Sequence, residues 1–139
     1  MKQSFDTLEI RTKGPGLYDM TREAECFVAQ SGVANGLLTC FIRHTSASLL
    51  IQENADPDVL KDLEDFMRRT VSRDKSLYRH TTEGPDDMPA HIRSALTQTS
   101  LTIPVQDGAW LLGTWQGLYV FEHRDRPHSR EIALHIMGD

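Results

Sequence analysis

The residues best suited to chemistry are three of the six histidines in this 139-residue chain. His44 follows an apolar run, His80 lies in a long polar stretch, and His91 stands in the first turn of a predicted helix. At such boundaries, side chains from separate elements can converge on one point. Three neutral imidazoles with an open fourth position would suit zinc or another divalent cation. Because their spacing is non-local, the residues alone favour the alternative, in which each is a hydrogen-bonded structural histidine.

The other three histidines have simpler interpretations. His123 ends a strand-like run and His128 lies in a polar turn, so both side chains are expected to be exposed. His135 alternates with Ala133 and Met137, a period of two that is typical of a residue packed on a sheet. None of the three is expected to belong to a site.

The elements that would position the candidates follow the order strand, helix, two strands, helix, polar stretch, helix and four strands. Strands are predicted over 5–13, 37–43, 49–53, 100–105, 109–115, 118–123 and 130–137, and helices over 20–31, from Pro57 and from Pro89. This order predicts one α+β domain over 1–139, with a mostly antiparallel sheet and two or three helices.

The clearest helix follows Asp56, a good N-cap, and has Pro57 at its first position. Its apolar residues form one stripe: Val59, Leu60, Leu63, Phe66 and Met67. The polar stretch 72–88 comes next. Structureless connections of this length inside a domain are uncommon and often functional, so we expect the segment that carries His80 to contribute to function.

Composition limits the classes of partner. The net charge is −5 and no concentrated basic face is evident, so nucleic-acid binding is not expected. No apolar run is long enough to cross a membrane, and the N-terminus lacks the apolar core of a signal peptide. Cys26 and Cys40 are the only cysteines, which favours two reduced thiols. A cytoplasmic protein without a membrane partner is the expectation.

Three sequence motifs stand out along the chain. The first is His44-Thr45-Ser46-Ala47-Ser48, continuing with Glu53-Asn54-Ala55-Asp56-Pro57. The second contains Tyr78-Arg79-His80, Glu83-Gly84 and Pro89-Ala90-His91. The third is Leu112-Gly113-Thr114-Trp115-Gln116-Gly117, followed by Glu122. Together they resemble the signatures of the YjbQ family of small proteins. The resemblance covers nearly the whole chain in order, and the third motif is specific.

The resemblance implies an α+β subunit with a β-sandwich-like core that assembles as a homotrimer. It implies that His44, His80 and His91 are catalytic and surround a metal or a bound anion. Members are described as secondary thiamine-phosphate synthases, which join hydroxymethylpyrimidine diphosphate to a thiazole phosphate and release pyrophosphate. The implied cofactor is a divalent metal, zinc or magnesium, and the implied partner is a small phosphorylated substrate.

Residues in the motifs are candidates for substrate binding: Thr45, Ser46, Arg79, Trp115, Gln116 and Glu122. A tryptophan here would stack on a heteroaromatic ring or pack in the core. A buried glutamine beside it would need a partner. Many relatives have an Asn-Asp or Asn-Glu pair where this chain has Thr81-Thr82, and Asn is common where Asp87 stands. These departures affect the groups around the ligands, and so the choice of metal.

Two other functions remain open. A three-histidine site also suits hydrolytic zinc chemistry, so the first alternative is a metal-dependent hydrolase of a small phosphate or acyl compound. The second is a non-catalytic trimer that binds a small anion or metabolite. The synthase reaction must neutralise a departing diphosphate, and the chain has no Asp-rich magnesium motif. A histidine-bound metal, helped by Arg79 or Arg124, would have to supply that charge.

Overall fold

A computed structural model describes residues 1–139 as eight strands and three helices. The strands are β1 Lys2–Thr12, β2 Gly16–Asp19, β3 Gly36–Ile42, β4 Ala47–Glu53, β5 Ser100–Gln106, β6 Ala109–Trp110, β7 Gln116–Glu122 and β8 His128–Gly138. The helices are α1 Thr21–Ser31, α2 Pro57–Thr70 and α3 Asp87–Leu96. The α+β fold predicted from the sequence is confirmed.

The strands form two antiparallel sheets. The larger sheet has the order β1-β8-β3-β5-β6, and the smaller has the order β2-β7-β4. Strand β8 buries Ile132, Leu134 and Ile136, the alternation that its sequence predicts. Buried side chains from both sheets and from α1 join in one hydrophobic cluster, which includes Leu38, Leu49, Val120, Ile136 and Phe27.

Local signals explain the two longer helices. The Asp56 carboxylate accepts a hydrogen bond from the Asp58 N–H at 2.9 Å, and Pro57 occupies the first turn, so the predicted cap of α2 is present. Helix α1 ends at Gly32, whose φ of 71° is the left-handed conformation that favours glycine. Neither helix bears the candidate histidines.

Three elements differ from the sequence prediction. Helix α3 begins at Asp87, before the predicted start at Pro89, and this places Asp87 in its first turn. The strand predicted over 109–115 is limited to β6, because the Gly113 N–H turns back onto the Gln116 side chain at 2.8 Å. Strand β2 is missed because it has only four residues.

Helix α3 is fastened along β4, and this contact positions the candidate site. The Ser94 hydroxyl donates to the Ala47 carbonyl at 3.0 Å, and the Thr97 hydroxyl donates to the Ser48 hydroxyl at 2.6 Å. The two elements therefore hold His91 close to the segment that precedes β4. No helix of the chain has both the length and the apolar character needed to span a lipid bilayer.

Candidate metal centre

Two imidazoles meet at a single carboxylate oxygen at the start of α3. Asp87 and His91 are four residues apart, so they share one face of the helix. His80 Nε2 lies 2.6 Å from Asp87 Oδ2, and His91 Nε2 lies 3.1 Å from the same oxygen. The three potential ligand atoms all lie within 4.8 Å of one another.

The hydrogen bonds of His91 leave a place for a second proton or a metal ion between its ring and Asp87. Its Nδ1 lies 2.8 Å from the Thr45 carbonyl oxygen, which can only accept, so Nδ1 carries a proton. In the neutral ring, Nε2 then presents a lone pair to the carboxylate, and the two lone pairs repel. A second proton or a metal ion removes this conflict. Metal-bound histidines commonly donate their other N–H to a backbone carbonyl, as His91 does.

Asp87 is ionised although its side chain is only 2% exposed. Burial raises the pKa of Asp87, but the hydrogen bond from His80 and the charges of His91 and Arg124 outweigh it. The pKa of Asp87 is therefore below its ordinary value. Arg124 Nη1 donates to Asp87 Oδ1 at 2.6 Å, while its Nε donates to Asp86 Oδ2 at 2.9 Å. This clamp orients Oδ2 toward the two imidazoles.

The donor set favours a transition-metal ion. Two imidazole nitrogens and one carboxylate oxygen are typical of catalytic zinc sites and of related divalent centres, which keep further positions open for water or substrate. Magnesium prefers oxygen ligands and fits this set less well. The His80 and His91 side chains are 43% and 31% exposed, so a ligand can reach them from solvent.

His44, grouped with His80 and His91 by the sequence, is held outside this cluster. Its Nε2 accepts the Glu131 backbone N–H at 2.8 Å, and its Nδ1 faces Arg130 Nη1 at 3.4 Å. Partial burial and then the Arg130 charge lower the pKa of His44, which favours the neutral ring. Asp87 takes the third position in the structure's cluster. His44 and His91 nevertheless line the same groove, of about 280 Å³.

Thr45 and Ser46 act on the site mainly through neighbouring groups. The exposed Thr45 offers its carbonyl to His91, as described above. Ser46 is buried, and both its carbonyl and its hydroxyl accept hydrogen bonds from Arg130 Nη2, at 3.2 and 3.0 Å. Of these two residues, only Thr45 lines the groove beside His44.

Glu122 belongs to a buried ion pair with Arg130, the arginine that also contacts His44 and Ser46. Its side chain has no exposed surface, and both carboxylate oxygens are bonded to Arg130. The Thr12 hydroxyl donates a further hydrogen bond to Oε1. Burial raises the pKa of Glu122, but the hydrogen bonds from Arg130 and Thr12 outweigh this effect and lower it. Its position gives Glu122 a structural role, with no carboxylate oxygen free for a substrate.

The other candidates lie apart from one another. Arg79 is exposed beside His80. Trp115 is 64% exposed rather than in the core, and the neighbouring Gln116 opens β7, at the end opposite Glu122. Six residues along a strand span about 20 Å. The structure therefore does not bring Trp115 and Gln116 to the histidine cluster within one subunit.

The sequence analysis missed Asp87 and Arg124 as parts of the cluster. The signal was present, because Asp87 precedes His91 by four residues, but a helix starting at Pro89 leaves Asp87 outside it. The expectation that His123 is exposed was wrong. It is 1% exposed and its Nε2 lies 2.9 Å from the Ser48 hydroxyl, and burial lowers the pKa of His123 to about 3.

Fold and site together define a small α+β protein with a histidine–aspartate–histidine cluster beside a groove. The family model described as UPF0047 protein YjbQ-like matches residues 6–139. A UPF0047 protein of Synechocystis sp. is 54% identical over 138 residues, covering 99% of this chain and 94% of that protein. UPF0047 protein YjbQ of Escherichia coli O157:H7 is 43% identical, covering 96% of each chain. The chain belongs to the YjbQ family.

Solved structures agree with this assignment. A YjbQ/UPF0047 family protein of Clostridium acetobutylicum superimposes with a TM-score of 0.86 at 33% identity, covering 95% of this chain and 99% of that one. A YbjQ-like protein of unknown function from Sulfolobus solfataricus has the same TM-score of 0.86 at 22% identity, with 99% of each chain covered. At that lower identity, the second likeness concerns the fold alone.

Proposed function

We propose that this protein is a metal-assisted enzyme acting on a small phosphorylated substrate, with His80, Asp87 and His91 holding a divalent cation. The observation that carries the proposal is the shared Asp87 oxygen, at 2.6 and 3.1 Å from two imidazole nitrogens. One of those nitrogens belongs to a ring whose proton is already committed to a backbone carbonyl. A zinc-like ion satisfies all three groups together.

The proposed reaction is thiamine-phosphate synthesis, a weak activity in which hydroxymethylpyrimidine diphosphate and a thiazole phosphate give thiamine phosphate and pyrophosphate. The support is the family resemblance of the motifs and the charge that the reaction requires. A bound divalent ion would neutralise the negative charge of the departing diphosphate. Arg124 is already paired with Asp86 and Asp87, so the exposed Arg79 beside His80 is the cation available for a phosphate group.

A metal-dependent hydrolase is the second candidate, and the donor set favours it. Two histidines and one carboxylate, with positions left for water, are the ligands of hydrolytic zinc sites. The groove of about 280 Å³ between His44 and His91 would take a small phosphate or acyl compound. A non-catalytic trimer that binds an anion or metabolite is the third candidate, and would hold its ligand there without turnover.

The homotrimer belongs to the same proposal. On the outer face of the larger sheet, opposite the core, four large apolar side chains are 42–72% exposed: Phe5, Leu37, Phe41 and Met137. An exposed apolar patch on a sheet favours contact with another subunit. If Trp115 and Gln116 bind the substrate at this site, they must come from a neighbouring subunit, because they lie at the far end of β7.

A single domain over 1–139 and a cytoplasmic location complete the proposal. The two sheets and α1 share one hydrophobic cluster, which supports one folding unit. The two cysteines are unpaired, with Cys40 buried and Cys26 exposed, as expected of a reducing compartment.

Elemental analysis of gently purified protein tests the metal first. The wild type is expected to carry near-stoichiometric zinc or another transition metal, while His80→Ala and Asp87→Asn lose it. Asp62→Asn, an exposed carboxylate on α2, is the matched control and should retain the metal. Absence of metal from the wild type, even after reconstitution, would overturn the metal centre.

Assays on the same proteins separate the functions. Pyrophosphate release that requires both substrates, and that falls to background in His80→Ala, supports the synthase. Chelator-sensitive turnover of phosphate or acyl esters, restored by one metal, would replace it with the hydrolase. Tight binding of a phosphorylated compound without turnover would indicate the binding protein.

A further inference from the structure

A second cavity, on a different face of α3 from the metal centre, contains a buried cation without a protein partner. The cavity has a volume of about 60 Å³, and its lining includes Arg68, Arg73, Arg93, Phe121 and His123. Arg93 is 7% exposed, and its Nε is the only buried side-chain nitrogen or oxygen atom without a hydrogen-bond partner. Leaving a buried guanidinium in this state is costly, so the site favours a bound anion.

The carboxylates around the cavity do not provide that anion. Glu64 pairs with Arg68 at 2.8 Å, and Asp125 pairs with Arg73 at 2.7 Å. Arg93 forms no ion pair with either of them. Burial and the neighbouring charges of Arg73 and Arg68 lower the pKa of Arg93, and the more distant charges of Asp125 and Glu64 only partly oppose them. Arg93 therefore contributes a positive charge that no carboxylate contacts directly.

The remaining carboxylate of the lining is also occupied. Glu122 has both oxygens bonded to Arg130. Each acidic group around the cavity thus already has its own arginine. Arg68 also bonds to Asp65 at 3.1 Å, so what sets Arg93 apart is contact: it is the guanidinium of the lining that bonds to no carboxylate.

We propose that this cavity binds a small oxyanion, of the class of inorganic phosphate or a terminal phosphoryl group. Arginine presents a planar fork of N–H donors that matches the oxygens of a phosphate. A buried water needs roughly 10–15 Å³, so the cavity holds about four to six water-sized groups, which is room for the four oxygens of one phosphate. The Arg68 and Arg73 side chains, 58% and 43% exposed, form the entrance, and Arg93 lies beneath them.

The oxyanion site is distinct from the metal centre. His91 and Arg93 are two residues apart on α3, which places them about 200° apart around the helix. Two consecutive residues after β7 likewise contact different sites: Arg124 bonds to Asp87, whereas Asp125 lines the cavity. The proposal therefore stands without a metal, although α3 connects the two sites.

Calorimetric titration with inorganic phosphate tests the site, in a chelator-containing buffer that keeps ionic strength constant with chloride. The wild type is expected to bind one phosphate per chain, and Arg93→Met to bind it about ten- to a hundred-fold more weakly, since it loses charged hydrogen bonds. Arg22→Met, which removes an exposed arginine of α1, should bind as the wild type does.

Thermal unfolding in the same buffers gives an independent readout. Phosphate should raise the melting temperature of the wild type and leave that of Arg93→Met unchanged. Without phosphate, Arg93→Met should be at least as stable as the wild type, because the unpaired buried charge is gone.

Two results would overturn the site. One is that phosphate binds no better than chloride, which would mean that the cavity holds only water. The other is equal phosphate binding by the wild type and Arg93→Met. If Arg93→Met fails to fold, Arg73→Met serves instead, since that half-exposed arginine at the entrance can be replaced without opening the core. It should weaken binding about tenfold, and unchanged binding would count against the proposal.

Discussion

Glu122 and Asp87 are both buried carboxylates beside cationic groups, but their surroundings differ. Both oxygens of Glu122 bond to one arginine, and Thr12 adds a further donor. Asp87 is clamped by Arg124 on Oδ1, yet its Oδ2 faces two imidazoles, one of which has no proton to give in its neutral form. The first arrangement is complete without a ligand, whereas the second leaves a place for a second proton or for the metal ion that we propose.

This difference separates a polar pair that is saturated by the protein from a polar cluster that can take a ligand. The Glu122 ion pair is sealed from solvent, so its stability depends on mutual saturation of the two partners. The rings beside Asp87 are partly exposed, so a metal can replace protons there. Burial alone does not identify a site, whereas unmatched donors and acceptors near solvent do.

The largest expected effect on stability comes from breaking the Glu122–Arg130 ion pair. Glu122→Gln should lower the free energy of unfolding by about 3–5 kcal/mol, because Arg130 would stay buried without a counter-charge. Urea denaturation measures this loss. The double variant Glu122→Gln with Arg130→Met removes both charges and should recover most of the stability. A loss below about 1 kcal/mol in the single variant would remove the structural role of the pair.

Acid should act on the buried His123 before it acts on the Glu122 pair. Because burial lowers the pKa of His123 from 6.5 to about 3, the unfolded chain binds this proton more readily than the folded one. Well above pH 6.5 the ring is neutral in both states and does not affect stability. As the pH falls from about 6.5 toward 3, protonation of the unfolded chain lowers the free energy of unfolding. By pH 4 the loss should reach about 3 kcal/mol.

Denaturation at pH 7, 5.5 and 4 tests this sign against His123→Gln, which cannot titrate. The variant should lose less stability than the wild type over that range. Parallel pH profiles for the two proteins would show that His123 is not buried in its neutral form.

Metal should stabilise the cluster of His80, Asp87 and His91 and leave the Glu122–Arg130 ion pair unaffected. Zinc at a hundredfold excess over its dissociation constant should add about 2.7 kcal/mol to the unfolding free energy of the wild type. A chelator should reverse the gain, and Asp87→Asn should not show it. The same stabilisation in Asp87→Asn would place the metal elsewhere.

The smallest effect is expected at an exposed ion pair. Arg43 and Glu131 lie 3.1 Å apart with side chains 59% and 50% exposed, so Arg43→Ala should cost less than about 1 kcal/mol. Thermal unfolding beside Glu122→Gln gives the comparison directly. If Arg43→Ala lost as much stability as Glu122→Gln, the buried Glu122–Arg130 pair would contribute no more than an exposed ion pair.

The elements of the fold were largely predictable because their signals are local. The cap at Asp56 and the alternation of β8 appear in the structure where the sequence places them. The strand predicted over 109–115 was too long. Its apolar residues suggested a strand, but the turn closed by the Gln116 side chain ends β6 after two residues. Such a side-chain contact to the backbone has no signature in hydrophobic periodicity.

The sequence by itself predicted the α+β class and the family, both of which are confirmed, and it singled out His80 and His91 as candidates. Only the tertiary structure decided that His44 bonds to the backbone of β8, a contact between residues 87 positions apart, and that the turn between His80 and Asp87 brings those two side chains together. It also decided that Glu122 has a partner and Arg93 has none. Whether a charged side chain is satisfied depends on the groups that folding brings around it, and residue order does not specify that directly.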